Sequence, residues 1–135
     1  MTDERFSELL EGPLYHPLPM FIVTRLSLAL MSVTLFCGKE GADALEAWCD
    51  APDLAARDAQ GRLTTERFNF LLNGPLHGDG LRETIAKNAE ALRYVVNTCG
   101  KKGDLALESC CEDREAQDRA AGGKHREARL SITRA

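Results

Sequence analysis

Apolar positions recur at helical spacing from the start of the chain. Phe6, Leu9 and Leu10 fall at i, i+3 and i+4, one face of a short helix. Thr2 is a candidate N-cap, acidic residues fill the first turn, and Gly12-Pro13 stops the segment. Pro19 suits the first position of a second helix. From Leu18 to Cys37 the chain is almost wholly apolar, broken only by Arg25 and a few Ser and Thr. Cys37-Gly38-Lys39-Glu40-Gly41 predicts a glycine cap and a tight turn. A third, short helix then carries Ala44, Leu45 and Cys49.

The same pattern returns at a constant offset of 62 residues. Glu4-Arg5-Phe6 recurs as Glu66-Arg67-Phe68, and Gly12-Pro13-Leu14 as Gly74-Pro75-Leu76. Cys37-Gly38-Lys39 recurs as Cys99-Gly100-Lys101, and Ala44-Leu45-Glu46 as Ala106-Leu107-Glu108. Residues 4–50 and 66–112 share 19 identities in 47 ungapped positions. Average composition would give roughly three by chance. The pattern predicts an all-α helical bundle of two tandem three-helix repeats with pseudo-two-fold symmetry. Thr64 and Asp79 are the candidate N-caps of the first two helices in the second unit. The boundaries read from the chain are a first repeat at 1–50, a polar linker at 51–63, a second repeat at 64–113 packed on the first, and a charged, loosely ordered tail at 114–135.

The two long helices agree on one face and differ on the other. Val23, Leu30, Val33 and Cys37 match Ile85, Leu92, Val95 and Cys99 as a core stripe. Phe21, Leu28, Met31 and Leu35, spaced like heptad positions, stand opposite Glu83, Glu90, Arg93 and Asn97. The first long helix is therefore apolar all round and calls for burial on every side. Three covers suggest themselves: the rest of its own chain, a second copy along this seam, or a membrane. Arg25 in the middle and a soluble-looking twin argue against the membrane.

Charge and composition narrow the function classes. The 135 residues carry 17 Lys and Arg against 21 Asp and Glu, a net charge of −4, with 44% hydrophobic and 28% charged residues. That is the composition of one ordinary globular domain. The tail, with six basic and three acidic residues, carries +3 and leaves −7 for the rest. A body so charged opposes nucleic-acid binding through Arg119, Lys124, Arg126, Arg129 and Arg134. An acidic N-terminus and five cysteines, an odd number, point to a cytoplasmic protein with free thiols.

Candidate chemistry is sparse. Cys37, Cys49, Cys99 and Cys111 are equivalent in pairs, which raises a four-thiolate metal site. Their spacing within a unit, with eleven residues between, is not that of a zinc ribbon, and small core residues are the simpler reading. His16 and His77 are one position out of register, against a shared catalytic or metal role. Arg25, equivalent to Lys87, needs a partner among apolar neighbours, and the fold-back of the third helix nominates Asp50, or else Asp53. No catalytic residue and no cofactor is indicated. The expectation is a non-enzymatic helical module that associates with a second copy, as a homodimer, or with another protein. Phe21, Leu28, Met31 and Leu35 would form the interface centre. The alternative is a small-molecule or metal-binding bundle, conceivably an enzyme, with a site between the repeats near Arg25, Asp50 and His16.

Overall fold

A computed structural model describes the backbone of residues 1–134, with side chains through residue 120. It is all helical: six α-helices and one short 3-10 turn, with no strand among the described residues. The helices are α1 (Asp3–Glu11), α2 (Pro19–Phe36), α3 (Lys39–Trp48), α4 (Thr65–Asn73), α5 (Leu81–Cys99) and α6 (Lys101–Arg134).

Local chemistry sets the helix ends. The Thr2 hydroxyl accepts from the Arg5 N–H, and the Thr64 hydroxyl from the Arg67 N–H, so both short helices are capped as their sequences predict. Pro19 opens α2. Asp79 does not cap α5. Gly80 does, at φ 107°, while the Glu83 carboxylate reaches back to the Asp79 N–H. Gly38 and Gly100 turn the chain at φ 64° and 61°, a region that glycine enters at no steric cost. One turn further on, a Cβ at Gly41 or Gly103 would collide with the carbonyl of Thr34 or Val96. The third helix of each unit can therefore press directly onto the end of the second.

Packing crosses between the halves of the chain. α2 and α5 form the central pair, α3 lies chiefly on α5, and α6 lies on both α2 and α5. The core joins Leu26, Ala29, Leu30 and Val33 of α2 to Ala91, Leu92, Val95 and Val96 of α5, all fully buried; three pairs of these are equivalent, while Leu26 stands for the buried Asn88 and Val96 for the buried Thr34. Val23 and Ile85, expected in the stripe, are only half-buried. The sequence asked for burial all round α2, but only 28% of its residues are buried within the chain. By length and composition α2 is also apolar enough to cross a membrane, with a mean hydropathy of 1.7.

The third helices differ in length. α3 ends at Trp48 and gives way to the 51–63 segment, which holds the 3-10 turn Leu54–Ala56 and a bridge between Arg57 and Leu63. α6 runs on without a break past position 113, where the sequence suggested that a tail begins. Its added turns lie along α2, so that Asp118 comes level with Arg25.

Candidate functional site

A groove of about 640 Å³ lies between α2 and α6. Leu28, Ser32 and Phe36 line it from α2, and Leu105 and Cys110 from α6, over a buried Leu14. Its rim is apolar and open to solvent, with Leu28, Phe36 and Leu105 exposed by 52%, 61% and 57%. Arg25, Asp113 and Arg114 gather at one end. Sixty-two residues away at each α2 position, the α3–α5 side offers a depression of about 470 Å³ lined by Trp48, Glu90, Arg93, Tyr94, Asn97 and Thr98.

The proposed interface residues divide. Phe21 and Leu28 are exposed, whereas Met31 and Leu35 are half-buried. These two border Leu63 and Phe68 of the second half. Their counterparts on α5 are solvated, with Glu83, Glu90 and Asn97 exposed.

Arg25 does not pair with Asp50 or Asp53. Its Nη1 donates to the carbonyls of Tyr15 (2.5 Å) and Pro13 (3.2 Å), and its Nη2 lies 3.4 Å from the Asp118 carboxylate. The pairing fails because α6, not the end of α3, is what lies along this part of α2. Asp50 is exposed beyond α3 at φ 51°, and Asp53 caps the 3-10 turn through the Ala55 N–H. Lys87 repeats the arrangement, with Nζ donating to the carbonyl of His77 and pairing with Glu83. Each cation ties its long helix to the loop ahead of it.

His16 is a loop residue that closes its own turn. Its Nδ1 accepts from the Leu18 N–H, and its ring meets Phe21 edge-on at 4.8 Å.

The cysteines are free and do not converge. Cys37 and Cys99 meet each other between α2 and α5, where burial first, and then the contact with Cys37, pushes the Cys99 thiol up to about 12. Cys49 sits beside Glu46 and Arg67, and burial pushes it up to about 11. Cys111 lies near Arg5 and Glu108 and is pushed up to about 12, again chiefly by burial. Cys110, in the groove wall, is raised in the same direction. Burial thus favours the neutral thiol at Cys49, Cys99, Cys110 and Cys111, and a neutral thiol is a poor nucleophile. Among the described residues no group of three or more His, Cys, Asp or Glu side chains could hold a metal ion. Of the basic tail, Arg119 is exposed beside Glu115. The side chains of Lys124, Arg126, Arg129 and Arg134 lie outside the described residues.

Of the ion pairs that join the halves, among them Met1–Asp104, Asp3–Arg93 and Arg25–Asp118, two stand at repeat-equivalent positions, and the sequence offers no hint of them. Arg5 of α1 forks onto Glu108 of α6 at 2.6 and 2.7 Å. Arg67 of α4 reaches Glu46 of α3 at 3.2 Å. The pairs are 62 residues apart at both partners, yet their settings differ. Glu46 is 1% exposed and also accepts from Arg57 and from the Asp53 N–H, whereas the Arg5 and Glu108 side chains are 45% and 30% exposed.

Comparison with protein-family models, with curated proteins and with solved structures finds no match to this chain.

Proposed function

We propose that the chain is two copies of one three-helix unit related by a pseudo-two-fold axis, and that it acts by self-association through the outward face of α2. Four features support the first part. Each helix start is offset by 62 residues from its counterpart. Each third helix packs on the other unit's long helix. The Arg5–Glu108 and Arg67–Glu46 pairs are reciprocal. Cys37 and Cys99, equivalent in sequence, meet each other as residues beside a two-fold axis do.

The single observation behind the second part is the unlike chemistry of two like surfaces. α5 turns Glu83, Glu90 and Asn97 to water, but α2 turns Phe21 and Leu28, flanked by half-buried Met31 and Leu35. Phe21 and Leu28 are each about half exposed, so covering them would gain roughly 1 kcal/mol for each. A heptad-spaced strip suits a second copy of itself, packed helix to helix. In this reading the protein is a non-enzymatic, cytoplasmic homodimer. Sedimentation velocity of the wild type, Phe21→Glu and Leu28→Glu tests it. The expected result is a wild-type dimer and two folded monomers, and a wild type that stays monomeric at high concentration would overturn it.

A second reading, a small-molecule site between the units, is favoured by the groove between α2 and α6, which the two units wall together.

A further inference from the structure

Two clefts at repeat-equivalent places differ in what lines them. On the α3–α5 side, the Trp48 indole and the Tyr94 phenol line the wall. On the α2–α6 side, the residues at the same places are Cys110 and Ser32. Both substitutions are from a large ring to a small side chain, and both are in the wall of one groove. At the same time the rim changes from polar to apolar. Leu28 stands for Glu90, Phe36 for Thr98, and Leu105 for Asp43. A surface that only needed to be soluble would not combine a hollow with an apolar rim.

One end of this groove has hydrogen-bond donors to spare. Arg25 Nη2 and Arg114 Nη2 both lie 3.4 Å from the same oxygen of Asp118, a long reach for each. Arg114 Nε is buried without a partner. Arg25 Nη1 is already taken by the carbonyls of Tyr15 and Pro13, so the room for a further acceptor is chiefly at Arg114, whose guanidinium offers five N–H donors and accepts none. Asp113, which also lines the groove, and Asp118 together balance the charges of the two guanidinium groups. An incoming head group is therefore held by hydrogen bonds rather than by a strong field. Arg114 follows Cys110 by four residues on α6, so the two share one helix face with Cβ atoms ~5–6 Å apart, and both line the groove.

We infer that the α2–α6 groove binds a small aryl carboxylate, its ring over Cys110 and Ser32 where the other half carries Trp48 and Tyr94, and its carboxylate toward Arg114 and Arg25. The inference rests on the second reading above and on the correspondence of the two units. The groove volume of about 640 Å³ lies within the ordinary range of ligand sites. The ring supplies most of the affinity by leaving water, and the head group supplies orientation. The association strip is a separate surface. Phe21 and Leu35 do not line the groove, and only Leu28 borders both.

Indole-3-propionate is the probe, titrated into the full chain and followed by calorimetry and by NMR shifts. Saturable one-to-one binding is expected. Cys110→Trp, which gives α6 the residue that α3 already carries at this place, should abolish binding while keeping the melting temperature near that of the wild type. Ser32→Tyr is the second filling variant, should the first fail to fold. Arg114→Gln should weaken the acid about tenfold, the loss of one charge-assisted hydrogen bond, and leave indole-3-propionamide unchanged. No saturable binding at millimolar probe, or undiminished binding in a folded filling variant, would overturn the inference. Phe21→Glu separates it from self-association. Equal probe affinity in a monomeric Phe21→Glu supports an independent groove. Binding seen only in that variant would mean that a second copy covers the groove in the wild type, and the inference would fall.

Discussion

α2 and α5 occupy like places and carry unlike outer surfaces. Both begin after a loop tied back by a cation, Arg25 or Lys87, and both end at a glycine of positive φ. Their inner faces are nearly interchangeable, with Ala29, Leu30, Val33 and Cys37 buried on one and Ala91, Leu92, Val95 and Cys99 on the other. Their outer faces share no side chain from Phe21, Leu28, Met31 and Leu35 to Glu83, Glu90, Arg93 and Asn97. The inner face answers to packing, which tolerates little change at native density. The outer face answers only to water or to a partner, so it is there that the two halves can differ in role.

The cross-unit ion pairs give the comparison its steepest test. Glu46 is buried under Arg57 and Arg67, while Glu108 meets Arg5 near the surface. Glu46→Gln should destabilise the fold by about 3 kcal/mol, because it leaves the poorly solvated Arg67 without its anion and Arg57 with the more exposed Asp43 alone. Glu108→Gln should cost no more than about 1 kcal/mol, since exposed pairs are screened. Urea unfolding of both variants measures the difference, and equal losses would mean that burial does not distinguish the halves.

The equivalent thiols sharpen it next. Cys49 is half-buried and raised to about 11, whereas Cys111 is 2% exposed and raised to about 12. Alkylation of the native protein at pH 8, followed by mass spectrometry, should label Cys49 well before Cys111, with both reacting alike in denaturant.

The smallest effect is expected from acid. Asp43 is held below the usual carboxylate range by hydrogen bonds from Lys39 and Arg57, and Glu108 by those from Arg5. A carboxylate with a lowered folded pKa stabilises above its unfolded value, near pH 4, and that contribution fades as the pH falls below it. The melting temperature should therefore be flat from pH 7 to about 5 and fall below 4. Glu108→Gln should reduce the fall slightly, by a shift that solvent screening keeps small.

What the sequence made legible was local. Thr2, Thr64, Pro19, Gly12 and Gly38 act within a few residues of themselves, so caps, stops and turns could be read directly. The start of α5 could not, because Gly80 and the side chain of Glu83 together displaced Asp79 from the cap. The partner of Arg25 was misread for a longer-range reason. Asp50 is near it in sequence logic, but α6 continues along α2 and brings Asp118 instead. Glu46 looks like any acid on a short helix, and only the seating of α3 against the other half surrounds it with arginines. The groove had a signal in the chain, the exchange of Trp48 for Cys110 and of Tyr94 for Ser32, but its meaning depends on both positions facing one hollow.

The crossed seating of α3 on α5 and of α6 on α2 has a consequence for how the chain folds. The inner faces of α2 and α5 are buried chiefly against each other, so each half gains much of its core only when it condenses with the other. The stretch from 51 to 63 then works less as a joint than as a leash, keeping one half at high local concentration around the other. Severed there, the molecule would become a two-piece assembly whose stability depends on dilution.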